Sequence, residues 1–104
     1  MVIWRKEREE EKGRHTEELI GVIHKIAGDR ELLKAFFLDI LSPAEYKELG
    51  VRWQIVKQLS RRIPQRKIAK NLGVSIATVT RGSRELLDEQ GGFQQVLRKI
   101  ANKK

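Results

Sequence analysis

The sequence predicts an all-α protein built from six helices. Apolar residues recur three or four positions apart along most of the chain, which is the spacing of one helix face. No segment alternates apolar and polar residues as a half-buried strand does. A length of 104 residues gives room for one domain. The chain contains no cysteine, so it has no disulfide framework. We expect a charged arm over residues 1–15 and one helical domain over residues 16–104.

The first two helices follow from this spacing. Residues 1–15 are mostly charged, which is typical of a solvated arm or a frayed helix end. From Thr16 onward, apolar residues at positions 19, 20, 23, 26 and 27 share one helix face. Gly28 can end that helix, and Asp29 can cap the second helix, whose apolar residues lie at positions 32, 33, 36, 37, 40 and 41.

The third helix has the clearest start signal in the chain. Ser42 as N-cap, Pro43 at the first helical position and Glu45 three residues after the cap form a capping box. We expect this helix to continue through Leu59 and the fourth helix to begin at Pro64. The last helix is expected after the two glycines at positions 91 and 92.

The first three helices have wide apolar faces that the rest of this short chain can hardly cover. A second copy would supply the missing core, so we predict an intertwined homodimer. A compact monomer is the alternative.

Charge is unevenly divided along the chain, whose net charge is +8 and whose pI is about 10.1. Residues 1–51 carry 9 basic and 11 acidic groups, whereas residues 52–104 carry 13 basic and 3 acidic groups. The strongly basic half favours an anionic partner, and nucleic acid is the leading choice. No apolar run is long enough to cross a membrane and the charged start is no signal peptide, so we expect a cytoplasmic protein that binds no membrane.

Residues 65–81 have the pattern of a helix-turn-helix, within a motif at about residues 64–87. Gly73 lies at the sharp turn, where glycine adopts a positive φ angle at little steric cost. Ala69 is small enough for the second helix to cross beside it, and Ser75 can cap that helix. The apolar seam is expected at positions 68, 72, 74 and 79. The alternative is an ordinary helical hairpin with a solvated basic face.

The outward positions of this motif suit a DNA groove. Small and methyl-bearing side chains can approach thymine methyl groups, and arginine binds guanine or phosphate. The first helix would cross the DNA backbone, with Gln65, Arg66 and Lys67 at its start. The candidate contacts of the turn and the second helix are Ser75, Ile76, Ala77, Thr78, Thr80, Arg81 and Arg84.

Catalytic chemistry has little support in the sequence. His15 and Glu18 have the spacing of half a metal site, but no second such pair exists, and His24 is not at a helical ligand spacing from His15. The chain has no glycine-rich phosphate loop and no nucleophile with an obvious base. We interpret the protein as a non-enzyme without a metal site.

Four segments resemble the tryptophan repressor family over about residues 15–100. They are Ser42-Pro43-x-Glu45, Leu49-Gly50-x-Arg52-x-x-Ile55-Val56, Gln65-Arg66 and Ile76-Ala77-Thr78-Val79-Thr80-Arg81-Gly82-Ser83. The last segment is the most specific, because a generic helix-turn-helix requires neither its final Arg-Gly-Ser nor an upstream Leu-Gly-x-Arg. The resemblance implies an intertwined helical homodimer that represses transcription and binds a palindromic operator when L-tryptophan is bound as corepressor.

The resemblance also implies the residues of a tryptophan pocket. Arg52 and Arg81 would flank the indole ring, and Arg81 would also hold the ligand carboxylate. Leu41, Ser42 and Gly82 would line the pocket, Ser42 through its backbone carbonyl. On its own, Arg52 would be interpreted as a surface arginine.

Three features depart from the family pattern. The turn of residues 61–64 is one residue shorter and lacks the usual glycine and serine cap. Ala69 stands where some members have a lysine that contacts DNA. Glu85 replaces a small hydroxyl residue expected at the ligand's amino group; its carboxylate can bind that ammonium, compete for Arg81 or stay solvated.

Two other functions stay open at this point. One is a related helix-turn-helix regulator of the same fold that binds another ligand or none. The other is a helical module whose basic face binds protein or RNA. RNA binding is disfavoured because the basic half offers only Trp53 and Phe93 as aromatic platforms for bases.

Overall fold

A computed structural model of the protein describes the backbone of residues 2–102 and the side chains of residues 9–102. Within that range the fold is all-helical and has no strand, which confirms the predicted fold class and the number of helices. The helices are α1 (Val2–Ile26), α2 (Arg30–Ile40), α3 (Pro43–Ser60), α4 (Gln65–Leu72), α5 (Ile76–Leu86) and α6 (Gly92–Ala101). No described helix is long and apolar enough to span a membrane.

The chain divides into two compact units, of which the first ends at Pro43. It contains α1 and α2, and the Leu32 N–H donates to Asp29 Oδ1 at 3.1 Å, the cap expected from the sequence. Helix α1 begins well before Thr16, so described residues of the predicted arm belong to a continuous helix. No residue between positions 9 and 43 is buried. The apolar side chains described for residues 9–43 are therefore at least partly exposed.

The second unit begins at Ala44 and contains the core. Ile55, Ile68, Ala69 and Val79 form a buried cluster from α3, α4 and α5. The partly buried side chains packed against it are Val51, Leu59, Ile63, Leu72 and Val74. The apolar seam predicted at positions 68, 72, 74 and 79 is thus confirmed, and it fixes α4 against α5.

The turns on both sides of α4 have similar backbone geometry. After α4, Gly73 has φ 67° and the Val74 N–H donates to the Ala69 carbonyl at 3.0 Å, as in a Schellman turn. After α3, Arg62 has φ 61° and the Ile63 N–H donates to the Gln58 carbonyl at 3.2 Å. In this turn, which contains no glycine, an arginine therefore takes the left-handed conformation.

Helix α4 begins one residue later than the sequence predicts. Pro64 is its N-cap residue instead of its first helical residue, and it provides no side-chain cap. Proline still fits here because its φ of −57° leads directly into a helix. The following helix is better capped, since the Thr78 N–H donates to Ser75 Oγ at 3.1 Å, as predicted.

Candidate DNA interface and ligand pocket

A continuous basic segment contains the predicted DNA-contacting residues. Between Lys57 and Arg84 the chain has eight lysines and arginines and no aspartate or glutamate. Arg66 and Lys67 are exposed in the first turn of α4. On α5 the exposed candidates are Ile76, Ala77, Thr78, Arg81 and Arg84, and Ser75 is exposed just before the helix. These side chains are accessible to a polyanion without unfolding.

Two of the predicted DNA contacts bind each other. Thr80 Oγ1 on α5 donates to Gln65 Oε1 on α4 at 2.9 Å, and both residues are half-buried. This hydrogen bond joins the first residue of α4 to the middle of α5 and leaves the Gln65 amide nitrogen as a donor. Gln65 and Thr80 are thus held in a defined orientation, and the DNA contacts predicted for them stay predictions.

A cavity of about 490 Å³ lies beside α5 in the second unit. Ligand pockets typically measure about 300–1,000 Å³, so this volume suits a small organic molecule. The cavity brings together four of the predicted ligand residues: Arg52, Arg81, Gly82 and Glu85. The other lining residues, which the sequence does not indicate as ligand contacts, are Glu48, Val51, Ile55, Val56, Val74, Thr78 and Phe93.

Gly82 lets α5 lie close to α3 at the cavity. A Cβ atom at this position would be 2.9 Å from Ile55 Cγ2, and Ile55 is buried in the core. That methyl group is attached to the branched Cβ of isoleucine and has little freedom to move. Glycine is therefore required for this helix spacing and for the shape of this wall of the cavity.

The charges of the cavity wall are balanced between two arginines and two glutamates. Arg52 Nη2 donates to Glu48 Oε1 at 2.8 Å, four residues earlier on α3. Both side chains are more than half exposed, so the ion pair contributes little to folding stability. The ion pair matters for the cavity, because it places the Glu48 carboxylate beside Arg52, which is predicted to flank the ligand.

The remaining predicted ligand residues belong to the first unit. Leu41 is half-buried just after α2, and its N–H donates to the Phe37 carbonyl at 3.0 Å. Ser42 is exposed and immediately precedes α3. The contacts of Leu41 and Ser42 with a ligand therefore stay predictions.

Comparison with known proteins identifies the family. The family model described as Trp repressor protein matches residues 15–101. A Trp operon repressor homolog of Mannheimia succiniciproducens is 44% identical over 64 residues, which are 61% of this chain and 63% of that protein. The match thus spans slightly less than two thirds of that relative. A homolog of the same name from Haemophilus influenzae is 39% identical over 72 residues, 68% of this chain and 71% of the relative. Because the family model covers most of the chain, the protein belongs to the Trp repressor family.

Proposed function

We propose that this protein is a sequence-specific transcriptional repressor that binds a palindromic operator as a homodimer, with L-tryptophan as corepressor. The observation that carries the proposal is the double role of α5. Thr78, Arg81, Gly82 and Glu85 of this helix line the cavity, while Ile76 and its exposed neighbours are available to DNA. A ligand in the cavity and an operator would therefore act on the same helix.

The cavity suits an aromatic amino acid. Val51, Ile55, Val56 and Phe93 provide an apolar lining of the kind that an indole ring requires. Arg81 offers a guanidinium to the ligand carboxylate, which it can bind through two parallel hydrogen bonds. The two glutamates can accept hydrogen bonds from the ammonium group. Because the wall has equal numbers of acidic and basic groups, a zwitterion leaves the local charge balanced.

Ligand binding would alter the position of α5. Arg52 lies on α3 and Arg81 lies on α5, so a molecule that contacts both joins the two helices. A ligand favours whichever arrangement of α3 and α5 it binds more tightly, and it can shift the equilibrium only by that difference in affinity. We infer that L-tryptophan favours the arrangement in which α5 fits the major groove.

The dimer is supported by the first unit. None of its described side chains is buried, although Ile20, Leu32, Leu38 and Ile40 are large and apolar. A second copy would cover such faces. Light scattering at micromolar concentration is expected to give about twice the chain mass of 12.1 kDa. A folded protein with the mass of one chain would contradict the intertwined dimer.

Arg66 is expected to contribute directly to DNA binding. Helix-turn-helix dimers, Trp repressors among them, bind half-sites about one helical turn, roughly 34 Å, apart. Arg66→Ala is expected to weaken operator binding by about 1–3 kcal/mol and to relax base preference where the side chain reads guanine. Gel-shift titrations against operator variants measure both effects. Lys99→Ala on α6 is the matched control, and equal losses in the two variants would contradict a specific role for Arg66.

The test of the proposed function has two stages. Titration calorimetry measures L-tryptophan binding to the purified protein, and selection from random duplexes with and without L-tryptophan then identifies the operator. We expect saturable binding of the amino acid and a palindromic sequence enriched only in its presence. Sequence-specific DNA binding that ignores L-tryptophan would support a related regulator with another ligand or none. The observation that favours this related regulator is the presence of Glu48 and Glu85 in the cavity wall, where their carboxylates can compete with a ligand carboxylate for the arginines.

A further inference from the structure

We propose that Arg62, in the turn between α3 and α4, contacts a phosphate of the DNA backbone and adds an electrostatic contact to those of the helix-turn-helix. This inference rests on the proposed DNA binding. Arg61, Arg62, Arg66 and Lys67, here called the turn patch, are all exposed. They precede or begin α4, the helix expected to cross the DNA backbone.

The backbone of this turn is unfavourable for arginine. Arg62 has φ 61°, a left-handed conformation that residues with a Cβ atom adopt rarely and glycine adopts freely. The surrounding structure holds it there, because the Arg62 N–H donates to the Leu59 carbonyl at 2.9 Å and Ile63 packs against the core. A glycine would form the same turn without the steric cost. The fold alone therefore gives no reason for an arginine.

Within residues 9–102, no side-chain hydrogen bond or ion pair compensates for the backbone strain at Arg62. Among the side chains described for residues 9–102, none forms an ion pair or a hydrogen bond with its guanidinium. The chain from Lys57 to Arg84 contains no acidic residue, so its neighbours in sequence only add repulsion. Backbone strain that is retained without a structural benefit is a feature of functional positions. An anion outside the protein supplies the missing partner.

A phosphate is the anion that fits this placement. The turn patch has four cations in seven residues and no aromatic side chain, so it offers charge and no base-stacking platform. Its position before α4 places it with the residues expected to bind the DNA backbone instead of the base edges. Binding would then depend on salt concentration and would be independent of the local base sequence.

The experiment is a salt titration of affinity for a mixed-sequence DNA duplex with the full chain. We expect Arg62→Gln and Arg62→Gly to reduce the slope of log affinity against log salt by about 0.9 for each Arg62 that contacts a phosphate. Lys99→Gln removes one exposed charge from α6 and is expected to leave the slope unchanged. Thermal unfolding of the same variants provides the second measurement.

The two substitutions at Arg62 separate a binding role from a structural one. Arg62→Gly is expected to raise Tm because it relieves the left-handed strain, while it weakens DNA binding. A slope for Arg62→Gln equal to that of the unmodified protein would overturn the proposal, as would an equal loss in Lys99→Gln. If the unmodified protein bound no duplex at any salt concentration, the proposed function itself would fail. Duplex binding by the unmodified protein therefore tests the proposed DNA binding, and the salt dependence of the Arg62 variants tests the phosphate contact of Arg62.

Discussion

Ile68→Ala is expected to lower the free energy of unfolding by about 2–5 kcal/mol, the usual cost of truncating a fully buried isoleucine. Ile68 has no exposed surface and belongs to the cluster that holds α4 against α5. Chemical denaturation at one fixed protein concentration measures the loss.

Ile76→Ala provides the matched control because it makes the same chemical change on α5. The Ile76 side chain is 48% exposed, and we expect its truncation to cost less than about 1 kcal/mol. Ile76→Ala should nevertheless weaken DNA binding, since Ile76 is a candidate groove contact. Equal destabilisation by the two substitutions would contradict the burial of Ile68 in the core between α4 and α5.

Local signals in the sequence located most of the helix boundaries. Asp29 and Ser75 cap α2 and α5, and Gly73 takes the left-handed conformation after α4. Each of these features depends on residues only a few positions apart, so the sequence contains the whole signal. The start of α1 was different. Its early residues are mostly charged, and a helix of that composition lacks the apolar periodicity that marks the others.

The candidate site was predicted only in part, because its remaining features depend on tertiary packing. The family resemblance named Arg52 and Gly82, which line the cavity. Phe93 reaches the cavity from α6, and no local pattern connects α6 to that place. Glu48 had one signal, its position four residues before Arg52, which is the spacing of an ion pair on a helix.

The hydrogen bond between Thr80 and Gln65 shows the same limit of sequence analysis. The two residues are 15 positions apart and meet because α4 and α5 pack together around the buried Ile68, Ala69 and Val79. A helical pattern places each side chain on a face of its own helix. It does not show that the two faces approach within 2.9 Å.

Arg81→Ala is expected to weaken L-tryptophan binding by about 1.5–3 kcal/mol, the usual value of a hydrogen bond to a charged group. The substitution removes the guanidinium predicted to hold the carboxylate. It also leaves the cavity wall with one arginine and two glutamates, which repel a carboxylate. Calorimetric titration measures the change. Arg84→Ala is the control, since Arg84 lies one turn further along α5 and does not line the cavity.

A second ligand separates the role of Arg81 from that of Glu85. Indole-3-propionate has the indole ring and the carboxylate of L-tryptophan but no amino group, so Arg81→Ala should weaken the binding of both molecules. Glu85→Ser should weaken the binding of L-tryptophan only, because a charge-assisted hydrogen bond is about twice as strong as a neutral one. The difference in affinity between the two ligands should therefore become smaller. Tighter L-tryptophan binding in Glu85→Ser would mean that Glu85 competes for Arg81, and equal effects on both ligands would mean that its carboxylate is solvated. Unchanged L-tryptophan binding in Arg81→Ala would exclude this arginine as the carboxylate ligand.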